Sequence, residues 1–155
     1  MGSPRSGTTF LASLLKATEY GAPFETQFIL KYYNKLDRYG DITQLSNLTN
    51  LIDDISKERA IVQWGVTFNP AAVKCDLGDK FNYMEFVDYI GLQLMQTKGK
   101  SLWGDKTPHY ILKLSQLVNL FPNAKYLYIV RDGRDVALSL LKKPWGPNNI
   151  YKCAE

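Results

Sequence analysis

The first residues of the chain form a short segment whose composition is suited to holding a phosphate group. Gly2 and Gly7 are separated by four residues, and Thr8 and Thr9 follow directly. Apolar residues at helical spacing come next, so we expect a helix to leave the loop here. Backbone N–H groups at a helix start, two hydroxyls and the guanidinium of Arg5 all attract an anion. The pattern therefore predicts a phosphate site.

This loop differs at one position from the phosphate loop of nucleotide triphosphatases. Those proteins place a lysine after the second glycine, where it reaches the β- and γ-phosphates. Here that residue is Thr8, so the loop is suited to a ligand with one phosphate in its 5′ chain. A P-loop kinase or a triphosphatase-like nucleotide-binding module stays open as the alternative, and so does an ordinary glycine turn before a helix.

A second candidate phosphate site lies near the end of the chain. Residues 125–130 are apolar, β-branched or aromatic almost throughout, which predicts a buried parallel strand. Arg131 follows at the carboxyl end, where α/β sheets bind ligands. Ser139 comes eight residues later, on a helix predicted over 134–141. A guanidinium and a hydroxyl together are suited to a phosphate dianion.

The two motifs resemble those of sulfotransferases that use 3′-phosphoadenosine 5′-phosphosulfate (PAPS). Residues 4–9, Pro-Arg-Ser-Gly-Thr-Thr, look like the 5′-phosphosulfate loop in its arginine form, which bacterial carbohydrate and tyrosylprotein enzymes share. Arg131 and Ser139 resemble the 3′-phosphate clamp. The resemblance implies a metal-independent transferase whose donor-binding residues are Pro4, Arg5, Ser6, Gly7, Thr8, Thr9, Arg131 and Ser139.

Glu25 is our first choice for the base that removes the acceptor proton. It stands just before a helix predicted over 26–36, and arginine-loop sulfotransferases place a glutamate about this far along. An exposed glutamate stabilised by the helix dipole explains the residue nearly as well. His109 is the second choice, because cytosolic sulfotransferases use a histidine in a similar segment, although one residue closer to its lysine.

Arg5 and Lys106 are our candidates for the positive charges that stabilise the leaving phosphate oxygen. Residues 103–108, Trp-Gly-Asp-Lys-Thr-Pro, resemble the segment of the family whose lysine approaches the sulfuryl group. Asp105 stands where the family usually has glutamate. A solvated loop lysine remains an open interpretation of Lys106.

Composition restricts the class of protein and of partner. The chain has 155 residues and a net charge of +4, an excess suited to a small anionic ligand and too small to indicate nucleic acid. Cys75 and Cys153 lack the spacing of a zinc site or disulfide framework, which favours free thiols and a cytoplasmic location. No apolar run is long enough to span a membrane. The acceptor that the resemblance implies is a small molecule, a carbohydrate or a peptide.

The pattern of helices and strands predicts an α/β fold, with a P-loop-like parallel sheet flanked by helices in three layers. Besides the elements already named, we expect helices over 45–55, 83–95 and 107–120, a strand at 101–103 and a loop over 69–82. Residues 1–155 would form the N-terminal, donor-binding portion of a sulfotransferase domain. The strand before the phosphate loop and the C-terminal part of the domain are expected to be missing.

Overall fold

The computed structural model describes residues 2–21 and 25–153 of the chain, and these are mostly helical. The α-helices are α1 (Thr8–Leu15), α2 (Phe28–Tyr33), α3 (Leu45–Ser56), α4 (Arg59–Trp64), α5 (Pro70–Leu77), α6 (Tyr83–Gln96), α7 (Leu114–Leu120) and α8 (Gly133–Leu141). Short 3₁₀ segments occupy Leu36–Arg38, Pro108–Lys113 and Tyr151–Cys153.

Two short strands form a parallel pair. They are β1 (Tyr20–Gly21) and β2 (Leu102–Trp103), with Tyr20 opposite Leu102 and Gly21 opposite Trp103. The strand predicted at 101–103 is therefore confirmed, and so is the α/β class. In the described part of the chain this pair is the whole sheet.

The helices predicted from the clearest apolar periodicity are confirmed. On α3 the four apolar residues of one face, Leu48, Leu51, Ile52 and Ile55, are each at most 2% exposed. α6 begins with a reciprocal cap, in which Asn82 accepts from the N–H of Glu85 at 3.0 Å and the Glu85 carboxylate accepts from the N–H of Asn82 at 2.8 Å. These helices pack with α2, α4, α5 and α7 into one hydrophobic core.

The loop predicted over 69–82 is wrong for its first half, which forms α5. Asn69 caps this helix by accepting hydrogen bonds from the N–H groups of Ala71 and Ala72, at 2.9 and 3.3 Å. Pro70 occupies the first helical position, where its missing N–H has no cost. Asn-Pro was therefore a helix start, and the many turn formers around it concealed the signal.

The helix predicted from Thr107 begins later than expected. Residues Pro108–Lys113 form a 3₁₀ segment, and the α-helix α7 starts only at Leu114. The Thr107 hydroxyl does not cap this segment, because it bonds to the Asp105 side chain at 3.2 Å. The helix predicted over 26–36 is also shorter, since α2 covers only Phe28–Tyr33.

The strand predicted over 125–130 is wrong. These residues have no regular secondary structure, and Tyr128 and Val130 are 64% and 74% exposed. A strand requires a neighbouring strand with which it pairs, and the sheet that the described residues form contains only β1 and β2. The Tyr126 hydroxyl attaches the segment to the end of α7, where it donates to the carbonyl oxygens of Leu117 and Phe121.

The helix predicted over 134–141 is confirmed as α8. Asp132 caps it by accepting from the N–H of Arg134 at 2.9 Å, and the same carboxylate pairs with the Arg134 guanidinium. Neither Cys75 nor Cys153 forms a disulfide. Among the described residues, every helix is too short or too polar to cross a membrane.

Candidate functional site

The backbone of the phosphate loop takes a compact, unusual conformation. Arg5 and Gly7 both have positive φ, at 69° and 102°, and the first of these is uncommon for a residue with a side chain. The Ser6 N–H and hydroxyl both donate to the carbonyl oxygen of Ser3, at 3.1 and 2.6 Å. Ser6 is 5% exposed, so the hydroxyl fixes the turn from inside. Its contribution is to hold the loop in shape.

The loop leads directly into α1 and presents the start of that helix. Gly7 is the residue before the first helical turn, and the first amides of a helix have no acceptor within it. Thr8 is buried and Thr9 is exposed beside them. On the other side, a side-chain carbon at Gly2 would lie 2.6 Å from the Ile129 carbonyl oxygen, so glycine is required there. This arrangement of amides and hydroxyls fits a phosphate group.

The two motifs predicted to bind phosphate meet in the structure, although they are far apart in the sequence. The Arg5 Nε donates to the Ser139 hydroxyl at 3.0 Å. The Arg131 Nη1 donates to the carbonyl oxygen of Arg5 at 3.2 Å, while its Nε lies 3.6 Å from the Asp135 carboxylate. The guanidinium of Arg5 thus contacts Ser139. The side chains of Arg5, Arg131 and Ser139 therefore lie together on one exposed surface.

The candidate base Glu25 and the candidate charge-stabilising residue Lys106 are in direct contact. The Lys106 Nζ lies 2.6 Å from Oε1 of Glu25. The two side chains are 23% and 35% exposed, so the pair is half-buried and accessible. An ammonium and a carboxylate at this distance form a charge-assisted hydrogen bond. The candidate base and the candidate cation are 81 residues apart in sequence, and the fold brings them into contact.

A hydrogen-bond network anchored on Asp105 brings this pair together. The Asp105 carboxylate accepts from the N–H of Thr26 at 3.1 Å and from the N–H of Thr107 at 2.8 Å. Each of these donors is the direct neighbour of one member of the Glu25–Lys106 pair. Asp105 thus holds the two segments side by side. In the sequence, Asp105 stands out only because it replaces the usual glutamate, and its anchoring role was not predicted.

Tyr110 provides a second attachment between the same segments. Its hydroxyl accepts from the N–H of Ile29 at 3.1 Å and lies 3.3 Å from the Thr26 hydroxyl. The sequence gave no signal for this residue, because a tyrosine at helical spacing is usually part of the core. Its role depends on the packing of α2 against the 3₁₀ segment.

Burial shifts the pKa of two groups in this network. Burial raises the pKa of the Asp105 carboxyl, and the hydrogen bonds from Thr26 and Thr107 oppose that shift. Burial also raises the pKa of Tyr110, with the negative charge of Asp105 adding to the effect. The tyrosine hydroxyl therefore stays neutral and able to donate.

A cleft of about 800 Å³ connects the loop helix to the charged pair. Thr9, Glu25 and Lys106 all line it, so the end of the phosphate loop and the candidate acceptor chemistry share one space. His109 is exposed and is not among the described residues that line this cleft. In the described ranges no three His, Cys, Asp or Glu side chains are grouped to hold a metal ion.

Comparison with known proteins agrees with this arrangement of motifs. The model of the sulfotransferase family matches residues 1–150. The nodulation protein NoeE of Sinorhizobium fredii (strain NBRC 101917 / NGR234) is 29% identical over 155 residues, covering 94% of this chain. The chain spans about a third of the length of that curated relative, 31%. No solved structure matches the chain significantly. The predicted phosphate loop, the Arg131–Ser139 motif and the Glu25–Lys106 pair lie inside the matched range, and the chain belongs to the sulfotransferase family.

Proposed function

We propose that this chain binds PAPS and takes part in transferring its sulfuryl group to a hydroxyl or amine of an acceptor. Residues 1–155 would act as the donor-binding portion of a sulfotransferase domain with a P-loop-like, three-layer fold. The observation that carries the proposal is the cleft that joins Thr9 to the Glu25–Lys106 pair. It brings a phosphate-binding helix start next to a carboxylate and an ammonium.

Two groups of residues would hold the donor. The amides and hydroxyls at the end of the loop are suited to its 5′ phosphate, as expected from a helix start. Arg131 and Ser139 are suited to its 3′ phosphate, which distinguishes PAPS from commoner adenylates. Arg5 belongs to the loop and connects it to the second group, because its carbonyl oxygen contacts Arg131 and its side chain contacts Ser139. The bound donor would supply the activated sulfuryl group.

Glu25 and Lys106 would then act in the transfer step, Glu25 on the acceptor and Lys106 on the donor. Glu25 accepts the proton of the acceptor hydroxyl at a carboxylate oxygen. Lys106 and Arg5 neutralise the negative charge that develops on the donor phosphate. In the structure the ammonium of Lys106 is engaged by Glu25 at 2.6 Å. Sulfuryl transfer therefore requires Lys106 to exchange this partner for the donor, which leaves the carboxylate open to the acceptor.

The test is transfer of radiolabelled sulfate from PAPS by the gene product that carries this chain, screened against sugars, phenols, lipids and tyrosyl peptides. With any accepted substrate, Glu25→Gln should lower the transfer rate by about 100-fold or more, because general base catalysis is lost. The matched control is Glu19→Gln, a change at an exposed glutamate that should leave the rate unchanged.

Two results would contradict the proposal. Full transfer activity in Glu25→Gln would remove Glu25 as the base. Magnesium-dependent hydrolysis of ATP, with no transfer from PAPS, would favour the alternative of a P-loop kinase or triphosphatase-like module.

A further inference from the structure

The cleft beside the Glu25–Lys106 pair carries excess positive charge. Its described lining includes two carboxylates, Glu25 and Glu58, and both already have cationic partners. Lys106 pairs with the first at 2.6 Å and Lys31, from outside the lining, pairs with the second at 2.5 Å. Lys16 and Arg59, which also line the cleft, form no ion pair with either carboxylate.

Two of these cations are available to a ligand. The side chains of Lys16 and Arg59 are exposed, and they form neither ion pairs nor hydrogen bonds with the residues that the structure describes. A third cation, Lys100, is held in place because its Nζ donates to the carbonyl oxygens of Lys16 and Thr18, at 2.8 and 2.6 Å. It keeps its charge while it fixes the end of α1. One wall of the cleft is therefore cationic, and the side chains of Lys16 and Arg59 on it are available to bind an anion.

The wall is built from two helices that face the same space. On α1, Thr9 and Ser13 are one turn apart and line the cleft, and Lys16, which directly follows the helix, lines it as well. Lys16 lies seven residues beyond Thr9, which is roughly 10 Å along the helix axis. On α4, Arg59 and Gln63 are one turn apart and both line the cleft. Lys16 is thus displaced from the end of the phosphate loop, and Arg59 lines the same cleft from α4.

We propose that the acceptor carries an anionic group, a carboxylate or a sulfate ester, next to the group that is modified, and that Lys16 and Arg59 bind this anion. This inference rests on the proposed function, because it assigns the cleft to the acceptor. Uncompensated cations in a cleft attract anions from solution, and a guanidinium binds a carboxylate or sulfate through two parallel hydrogen bonds. Gln63 and Ser13 add neutral hydrogen-bonding groups suited to the uncharged part of the acceptor.

The experiment uses the gene product saturated with adenosine 3′,5′-bisphosphate and three matched probes. They are 4-nitrophenyl β-D-glucoside, which is neutral, the corresponding glucuronide, which carries a carboxylate, and the glucoside 6-sulfate. We expect at least one anionic probe to bind about tenfold or more tightly than the neutral one, as a charged hydrogen-bonded contact predicts. The better of the two anionic probes identifies the group as carboxylate or sulfate.

The double variant Lys16→Gln with Arg59→Gln should reduce this preference to within about twofold, with unchanged affinity for adenosine 3′,5′-bisphosphate. Lys80→Gln, at an exposed lysine outside the cleft lining, should keep the full preference. The inference is overturned if the neutral probe binds as well as both anionic ones, or if the preference survives in the double variant. It is also overturned if the double variant weakens bisphosphate binding instead, since the cations would then belong to the donor. Failure of the proposed function would show separately, as a protein that does not bind the bisphosphate at all.

Discussion

The molecule has two regions that differ in how they are held together. The core region, residues 28–120, contains the fully buried side chains, among them Phe86 and Leu48 at 0% exposure. In the phosphate region, residues 2–21 and 125–153, the buried hydrophobic side chains are the small ones of Ala12, Val136 and Ala137. Stability is thus concentrated in one region and the candidate phosphate-binding groups in the other.

The exposed apolar residues of the phosphate region strengthen this contrast. Phe10, Val130 and Tyr151 are 67%, 74% and 84% exposed. The candidate phosphate-binding groups are positioned there by polar contacts, such as Arg5 with Ser139, rather than by packing. The charged pair Glu25–Lys106 is positioned differently, by the Asp105 network at the edge of the core region. The difference implies that substitutions in the two regions will affect different measurements.

The largest effect on stability is expected from a cavity in the core region. Phe86→Ala should lower the free energy of unfolding by about 3–5 kcal/mol, because it deletes a fully buried ring. Phe10→Ala is the matched control in the phosphate region, where the same deletion should change it by about 0.5 kcal/mol or less. Urea unfolding of both variants measures the difference. Equal losses would show that the two regions are not distinct.

A smaller loss is expected from the cap of α6. Asn82→Ala removes one half of the reciprocal cap with Glu85 and should lower the free energy of unfolding by about 1 kcal/mol. Asn123→Ala, at an exposed asparagine after α7, should have almost no effect. Urea unfolding again provides the measurement, and an unchanged midpoint for Asn82→Ala would contradict the role of the cap.

The smallest effect concerns Asp105, which anchors the network at the edge of the core region, and it depends on pH. Its carboxyl has a pKa raised by burial, so the folded protein binds this proton more tightly than the unfolded chain does. Its contribution to stability is therefore most favourable below the unfolded pKa of about 3.9 and is lost as pH rises through the folded pKa. In urea unfolding across acid to neutral pH, Asp105→Asn should lack this decline with rising pH. Parallel pH profiles for wild type and variant would exclude the assignment.

Parts of this structure follow from the sequence where the signal is local. The apolar face of α3, the start of α6 and the loop glycines each depend on neighbouring residues, and these predictions agree with the structure. The strand predicted over 125–130 is wrong, because a composition typical of strands does not by itself provide a neighbouring strand to pair with. The Glu25–Lys106 contact likewise depends on Asp105 and Tyr110, whose roles arise only when distant segments pack together.

Recognition of the 3′ phosphate is the central claim, and ligand-induced thermal shifts test it most directly. The gene product should be stabilised more by adenosine 3′,5′-bisphosphate than by AMP or ATP, with about a tenfold or greater difference in affinity. Arg131→Ala should abolish that preference, whereas Arg134→Ala, three residues away and paired with Asp132, should retain it. Equal shifts with all three ligands, or an unchanged preference in Arg131→Ala, would contradict the account.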